Sequence, residues 1–241
     1  MKLLLGTLTA LIIALAGVLV FIGSESVLAQ ATETTNSITV QTVNDTSLTD
    51  KILHNLSESW PWYIARGSGI IAAITLILLM VSGIGQITGT TFRFLDPIIA
   101  WASHRALGIV FGISIGVHII SLLFDSFLKL TIVDALVPWV SDYRPVTVFG
   151  VPLGSLYLAL GIIAFYLSLA IVVTSLLLIS KKPYFWKIIH ITSYIVLALV
   201  FFHALYIGTD FAHGWLRVAW IVVGISLALF SLVRLRRAFT T

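Results

Sequence analysis

The chain has 241 residues, of which 59% are hydrophobic and only 10% are charged, and its mean hydropathy is +1.08. This composition excludes an ordinary soluble domain and predicts an all-α, polytopic membrane helix bundle. The absence of cysteine excludes disulfides, thiolate haem ligands, iron–sulfur clusters and covalent haem attachment. The formal charge of +4 does not indicate nucleic-acid binding, because the cations lie where apolar runs end rather than on one basic face.

The N-terminal 31 residues combine an apolar run over residues 3–22 with the small residues Ala29 and Ala31. Two interpretations stay open: a secretory signal peptide cleaved at an A-x-A-like site, or a first transmembrane helix, since such a run reaches about 30 Å. The bundle then has six transmembrane helices, or five after cleavage. Residues 32–59 are rich in Thr, Ser and Asn and predict a polar external segment, and residues 60–241 form the membrane domain.

Residues 60–241 contain five apolar stretches, each long enough to predict a membrane-spanning helix. The connection from Gly85 to Ile99 predicts a loop with a short interfacial helix, and the connection from Lys129 to Pro152 predicts a long lid-like loop. The predicted spans are Ile64–Ile84, Pro97–Phe127, Leu153–Ile179, Tyr184–Ile207 and Trp215–Leu232.

The placement of lysine and arginine predicts the orientation of these spans. Lys181, Lys182 and the arginine cluster in residues 234–237 lie in two connections separated by two spans, which agrees with both connections being cytoplasmic. We therefore expect an integral protein of the plasma or inner membrane, with a cytoplasmic C terminus and with residues 32–60 outside.

Two of the predicted spans each carry a pair of histidines. His104 and His118 have thirteen residues between them, and His190 and His203 have twelve. At about 1.5 Å per residue, each pair covers roughly 20 Å of a hydrocarbon core about 30 Å thick. Because both helices run from inside to outside, His104 should pair with His190 at the inner depth, and the other two should pair at the outer depth. This arrangement predicts two haems across the membrane, each with bis-histidine ligation.

The alternative interpretation of a membrane histidine is a polar side chain that hydrogen-bonds to a neighbouring helix. Four histidines at two matched depths favour haem, since burying each of them in lipid is unfavourable. One misfit concerns helix geometry. His104 and His118 are fourteen positions apart, so on an ideal helix they point to within about 40° of the same direction. His190 and His203 are thirteen positions apart, so on an ideal helix they point about 140° apart. The second histidine helix must therefore bend, rotate locally or contain a π-bulge.

Two arginines are candidates for neutralising haem propionates. Arg66 enters the first of these spans about one turn deep, and Arg105 follows His104 at the inner end. A salt bridge to a propionate and snorkelling of the side chain to the lipid headgroups both explain each arginine. Both interpretations stay open.

The first histidine helix also carries a glycine stripe and one central aromatic residue. Gly108, Gly112 and Gly116 recur every fourth residue from His104, which would let a flat macrocycle approach or a neighbouring helix pack closely. Phe111 lies seven residues from each histidine of its helix, so it is either a filler between two macrocycles or an ordinary core residue.

The histidine intervals, together with the motif Tyr63-Ile64-Ala65-Arg66-Gly67-Ser68-Gly69, resemble the ferric reductase-like transmembrane domain superfamily. This superfamily includes ferric reductases, NADPH oxidases and the haem-binding membrane subunit of periplasmic methionine sulfoxide reductase. The resemblance covers roughly Trp60 to Leu232, and its specific part is the histidine spacing. It implies haem b on the four paired histidines and transmembrane electron transfer by an oxidoreductase component.

Members with a fused flavin and NADPH domain carry it after the last helix, whereas this chain ends at Thr241. The resemblance is therefore to stand-alone haem subunits, and we expect no flavin or NAD(P)H site in this chain. A separate cytoplasmic flavoprotein or quinol would donate the electron, which would leave to an external acceptor or partner protein. Membrane lipid is the other expected contact, and nucleic acid is not expected.

Two alternative functions remain open at this point. A haem-bearing anchor subunit of a larger respiratory complex would use the same histidines. A haem-free transporter or structural membrane protein would place them in a polar pathway, but carboxylates, which proton and cation routes usually need, are scarce in the predicted spans.

Overall fold

The computed structural model describes residues 45–152 and 154–240, with side chains over residues 59–147, 149–151 and 154–232. The apolar run 3–22 and its two interpretations lie outside the described residues. Residues 45–55 belong to a separate unit and are α-helical. The residues from Leu56 onward form one compact unit, which contains the four paired histidines.

The described chain is mostly helical, with seven α-helices in chain order. They are α1 (Asp45–Ile87), α2 (Pro97–Leu123), α3 (Ile132–Leu136), α4 (Leu156–Leu177), α5 (Pro183–Ile191), α6 (Ser193–Ile207) and α7 (Gly214–Thr240). The connections contain two short 3₁₀-helices, Thr91–Arg93 and Thr209–Phe211, and one antiparallel pair of two-residue strands, β1 (Thr147–Val148) and β2 (Val151–Pro152).

Five helical stretches in the described residues are long and apolar enough to cross a membrane. By length and composition the chain is therefore an integral membrane protein, and the five spans predicted after residue 60 are confirmed to within a few residues at each end. Large apolar side chains are exposed on every span, as a hydrocarbon environment allows. The spans cover Ser59–Ile87, Pro97–Leu123, Leu156–Leu177, Pro183–Ile207 and Gly214–Leu232.

The centre of the bundle is an apolar cluster to which all five spans contribute buried residues. Because lipid is as apolar as these side chains, close packing rather than transfer from water stabilises the cluster. Its buried members are Leu76 and Met80 from the first span, Phe111 from the second, Ala164 from the third, Val196 from the fourth and Leu227 from the fifth.

Helix α2 ends four residues earlier than hydropathy alone predicted, at Leu123 rather than at Phe127. The reason is the buried carboxylate of Asp125, which accepts hydrogen bonds from the backbone N–H groups of Phe127 and Leu128 at 2.9 and 2.8 Å. Such local side-chain bonds offer the backbone an alternative to continuing the helix.

The connection between the second and third spans is a structured loop, as predicted. It contains α3, whose first turn is closed by a capping box between Thr131 and Asp134, and the strand pair β1–β2. Backbone conformations with positive φ at non-glycine residues cluster in binding and gating segments. In the described part of the chain, all residues of this kind lie in this loop: Lys129, Trp139, Arg144 and Phe149.

The fourth span is divided at Thr192 into α5 and α6. The N–H of Thr192 bonds to the carbonyl of Ile189 at 3.0 Å, and the N–H of Ile195 bonds to the carbonyl of Thr192 at 2.9 Å. Both bonds reach back three residues, so the chain winds more tightly here than an α-helix does. The irregularity predicted between His190 and His203 is therefore present, as a tightened turn.

Candidate functional site

The inner histidine pair joins the second and fourth spans. The ring centres of His104 on α2 and His190 on α5 are 6.2 Å apart, and the ring planes are inclined by 53°. A metal–imidazole bond is about 2.0–2.1 Å long and each ring nitrogen lies roughly 1 Å from its ring centre, so one metal ion separates two axial rings by about 6 Å. The spacing of the inner pair therefore suits a single metal ion between the two rings.

His104 is oriented by a serine of the first span. Its Nδ1 lies 2.7 Å from Oγ of Ser82, and the Ser82 hydroxyl donates to the carbonyl oxygen of Leu79 at 3.1 Å. Either atom of the Ser82–His104 contact can be the donor, and Ser82 Oγ accepts when the proton is on Nδ1 of His104. The lone pair of His104 is then on Nε2, which is available as a metal ligand.

His190 has a longer contact, and its partner oxygen is shared with a second donor. Its Nδ1 lies 3.4 Å from Oγ of Ser175 on α4, and the same oxygen accepts a hydrogen bond from Nε1–H of Trp186 at 3.0 Å. The Trp186 ring also packs against the imidazole, with ring centres 5.0 Å apart. Ser175 and Trp186 together define the surroundings of His190.

The outer histidines, His118 on α2 and His203 on α6, line a shared cavity of about 290 Å³. Small-molecule pockets usually measure about 300–1,000 Å³, so this volume lies just below that range. The cavity walls are mostly apolar and include part of the loop that follows α2. The loop residues in the wall are Phe127, Leu128, Leu130, Ala135, Tyr143 and Arg144.

Each outer histidine donates a hydrogen bond to a backbone carbonyl of a neighbouring span. Nδ1 of His118 lies 2.7 Å from the carbonyl oxygen of Ala65, and Nδ1 of His203 lies 2.9 Å from that of Tyr157. A carbonyl oxygen can only accept, so both Nδ1 atoms carry a proton, and in a neutral imidazole the lone pair is then on Nε2. Metal-bound histidines commonly have this second hydrogen bond, which fixes the ring and strengthens the ligand.

Glycines on the neighbouring spans leave room for the histidine rings. A methyl group added at Gly69 would lie 3.0 Å from Nδ1 of His118, and one added at Gly161 would overlap the ring of His203. Gly83 faces the inner pair, where a methyl group would lie 3.3 Å from an imidazole carbon. These spans approach the histidine helices closely because the three positions lack a side chain.

Arg66 lines the outer cavity and is paired with a carboxylate. Its Nε lies 2.8 and 2.7 Å from the two carboxylate oxygens of Asp210, which its Nη2 also contacts. The guanidinium lies 4.8 Å from the ring centre of Trp62. This ion pair is a third arrangement, beside snorkelling and a propionate contact, that the sequence did not suggest. A second arginine in the wall, Arg144, donates to the carbonyl of Tyr206 at 3.4 Å.

Arg105 and Phe111 lie in contrasting surroundings. Arg105 is exposed, and its guanidinium lies 5.6 Å from the ring centre of Trp101. Phe111 is buried in the central cluster and also lines the outer cavity, between the depths of the two histidine pairs. Both interpretations of Phe111 therefore remain compatible with its position.

The glycine stripe of α2 divides between packing and open space. A methyl group added at Gly112 would lie 3.7 Å from Val172, so this glycine packs against the third span. Among the described residues, and apart from the backbone of α2 itself, no atom lies within 4 Å of a methyl group added at Gly108 or Gly116. Helix packing accounts for one member of the stripe, and the other two leave space that a ligand or lipid can fill.

The donor set is compatible with haem. Over residues 59–147, 149–151 and 154–232, whose side chains are described, no group of three or more His, Asp or Glu side chains is arranged to hold a metal ion. Haem needs only two axial ligands from the protein, because the macrocycle supplies the others. Neutral imidazoles, apolar walls and the gaps left by glycines meet that need.

Sequence reasoning missed the groups that orient the histidines. They include the side chains of Ser82, Ser175 and Trp186 and the backbone carbonyls of Ala65 and Tyr157. Their signal in the sequence is weak, because a serine in an apolar span usually bonds within its own helix and a backbone carbonyl leaves no signal at all.

Comparison with known proteins assigns no family to the chain. No protein-family model, no curated protein and no solved structure matches it.

Proposed function

We propose that this chain binds two haem b groups, one between His104 and His190 and one between His118 and His203, and carries electrons across the membrane. The observation that carries the proposal is that all four histidines hydrogen-bond through Nδ1, in two pairs on facing helices. When bound, the haem irons supply reversible one-electron oxidation and reduction. With two histidines to hold each group, the sites would favour electron transfer over the binding of a substrate at the iron.

The chain's own residues orient the ligands and exclude water in this proposal. The Nδ1 partners fix the four imidazole rings, and the apolar walls keep the site dry. Phe111 would fill the space between the inner and outer levels. The pair of Arg66 and Asp210 would close the outer cavity on one side.

The composition of the spans supports electron transfer over ion transport. The five spans contain no aspartate or glutamate. Proton and cation pathways through membranes usually depend on intramembrane carboxylates. The four histidines are therefore better explained as axial ligands than as parts of an ion pathway.

The proposed orientation places Lys181 and Lys182 on the cytoplasmic side and the α3 loop outside. A cytoplasmic flavoprotein or quinol would reduce the inner site, and an external acceptor or partner protein would take the electron from the outer site, as in a ferric reductase-like oxidoreductase component. Because the chain contains no cysteine, single cysteines can report the orientation. In intact cells an impermeant maleimide should label the Phe149→Cys variant and leave Lys182→Cys unlabelled; the reverse pattern would contradict the orientation.

The first experiment is a pyridine haemochrome assay of the purified full-length chain from haem-replete cells. We expect about two haem b per chain in the wild type and about one in each of His104→Ala and His118→Ala, since each substitution removes one axial ligand from one site. His213→Ala is the matched control, because His213 is an exposed histidine outside the spans and should leave the haem content unchanged.

Haem-free wild-type protein would overturn the proposal and leave the transporter or structural alternative. Loss of both haems in either single variant would contradict two independent sites. A shift of the haem spectrum on addition of quinone, together with a stable partner, would indicate the anchor subunit of a larger complex.

A further inference from the structure

His190 differs from the other three histidines in how its Nδ1 is bonded. His118 and His203 donate to carbonyl oxygens, which can only accept. The Ser82 hydroxyl lies 2.7 Å from Nδ1 of His104 and 3.1 Å from the carbonyl oxygen of Leu79, so the contact of His104 is short. His190 instead lies 3.4 Å from the Ser175 hydroxyl, near the upper limit for a hydrogen bond.

The Ser175 oxygen already has a donor. Trp186 Nε1–H donates to it at 3.0 Å, and an indole can only donate. A hydroxyl oxygen has two acceptor sites, so one remains for Nδ1–H of His190. Trp186 and His190 are one helical turn apart on α5, and their ring centres are 5.0 Å apart. The indole therefore contacts both Ser175 and His190, the two partners of the 3.4 Å contact.

We propose that Ser175 and Trp186 are positioning residues that set the ligand strength of His190 and thereby the reduction potential of the inner haem. This inference rests on the proposed function. It makes the inner site the adjustable one, because each outer histidine bonds to a backbone carbonyl that no substitution can remove.

The two residues should act with opposite sign. A hydrogen bond accepted from Nδ1–H makes the imidazole a stronger donor and stabilises the oxidised metal, which lowers the potential. Ser175→Ala removes the acceptor, so the potential of the inner haem should rise. Trp186→Phe keeps a ring beside His190 but removes the competing N–H, so Ser175 becomes a better acceptor and the potential should fall.

The test is a redox titration of the full-length chain in lipid nanodiscs, followed by haem absorbance. The component that disappears in His104→Ala identifies the inner haem. Ser226→Ala is the matched serine control, because the hydroxyl of that exposed serine bonds to the carbonyl of Val222 in its own helix, and Trp215→Phe is the matched tryptophan control at an exposed position. Neither control should move either potential.

A rise in Ser175→Ala and a fall in Trp186→Phe, both confined to the inner haem and at unchanged haem content, would support the inference. Shifts of the same sign, or no shift in either variant, would overturn it. If Ser175→Ala loses the inner haem, Ser175→Thr must restore both the haem and its potential, and failure to do so would also overturn it. Haem-free wild-type protein would refute the proposed function, whereas two haems without opposite shifts would refute this inference alone.

Discussion

Nδ1 of His118 lies 2.7 Å from the carbonyl oxygen of Ala65, and this hydrogen bond joins the second span to the first. The equivalent contact of His203 with Tyr157 joins the fourth span to the third. Each histidine helix therefore has its own supporting helix. The first span supports the second, and the third span supports the fourth.

The supporting helices show the same interval as the first histidine helix. Gly69 and Gly83 on the first span are fourteen residues apart, and so are Gly161 and Ser175 on the third. Fourteen residues make nearly four turns of an α-helix, so each supporting helix presents one face at both depths. Substitutions on that face should therefore affect one depth at a time.

Gly161→Ala should remove the proposed outer haem while leaving the proposed inner one. The added methyl group would overlap the ring of His203, so the ring could be accommodated only by losing its hydrogen bond to the carbonyl of Tyr157 or by moving the helix. We expect the haem content to fall from about two to about one per chain by pyridine haemochrome assay.

Gly67→Ala is the matched control for this change. Gly67 is exposed on the first span, and in the described part of the chain only the backbone of its own helix lies near an added methyl group. This variant should keep the full haem content, and a similar loss in both variants would refute the steric explanation.

Arg66 and Asp210 should be energetically coupled. The Asp210 side chain is only 9% exposed and that of Arg66 is 34% exposed, so the pair is neither a surface contact nor fully buried. Exposed pairs contribute up to about 1 kcal/mol and breaking buried ones costs about 3–5 kcal/mol, so we expect an intermediate coupling of about 1–2 kcal/mol. A double-mutant cycle with Arg66→Gln and Asp210→Asn, read by thermal unfolding in detergent, measures it.

The single substitutions should lower Tm by several degrees, and the second substitution should add little to the first. Asp142→Asn, at an exposed loop carboxylate, is the control and should leave Tm unchanged. Strict additivity of Arg66→Gln and Asp210→Asn would show that the ion pair contributes nothing to stability.

The pairing of His104 with His190, and of His118 with His203, could be predicted from the sequence, because helical rise converts residue number directly into height along the helix. An irregular turn somewhere between His190 and His203 could also be predicted, because twelve and thirteen intervening residues are incompatible on two ideal helices. Its position could not be predicted, since the turn depends on local bonds to Ile189 and from Ile195.

The partners of the histidines could not be predicted in the same way. The choice of Ala65 or Tyr157 as acceptor depends on which spans are neighbours and on how far each is rotated. A span that faces lipid on one side and protein on the other is apolar all round, so its sequence shows neither its neighbours nor its rotation. The pairing of Arg66 with Asp210 across 144 positions of sequence is hidden for the same reason.

Asp134 should titrate below the usual range of an aspartate. Hydrogen bonds from the Thr131 hydroxyl, at 2.6 Å, and from the Thr131 backbone N–H, at 2.9 Å, hold the pKa of this carboxyl down. Because the pKa is lower in the folded protein, the stabilisation that ionised Asp134 gives is fully present above the unfolded pKa of about 3.9. Its contribution is then lost as the pH falls through the lower, folded pKa.

Carbon NMR of ¹³C-aspartate-labelled protein in nanodiscs measures this pKa directly. Thr131→Val removes the hydroxyl donor and should return the pKa of Asp134 toward its usual value. Thr88→Val removes a hydroxyl that bonds near the end of α1, outside the α3 loop, and should leave this titration unchanged. An Asp134 titration that is identical in the wild type and in Thr131→Val would contradict the capping box.

Phe111 should matter first as a packing residue. It is 6% exposed and is the contribution of α2 to the cluster formed by all five spans. Phe111→Ala should therefore lower Tm in detergent much more than Phe202→Ala, because Phe202 is 45% exposed and its loss leaves no internal cavity. Phe111→Leu keeps most of the volume, so it should retain two haems and lose only part of the stability.

If Phe111→Leu kept its Tm but slowed electron transfer between the two haems, measured by flash reduction, the ring itself would be part of the route. Equal Tm values for Phe111→Ala and Phe202→Ala would instead show that the central cluster does not hold the bundle together.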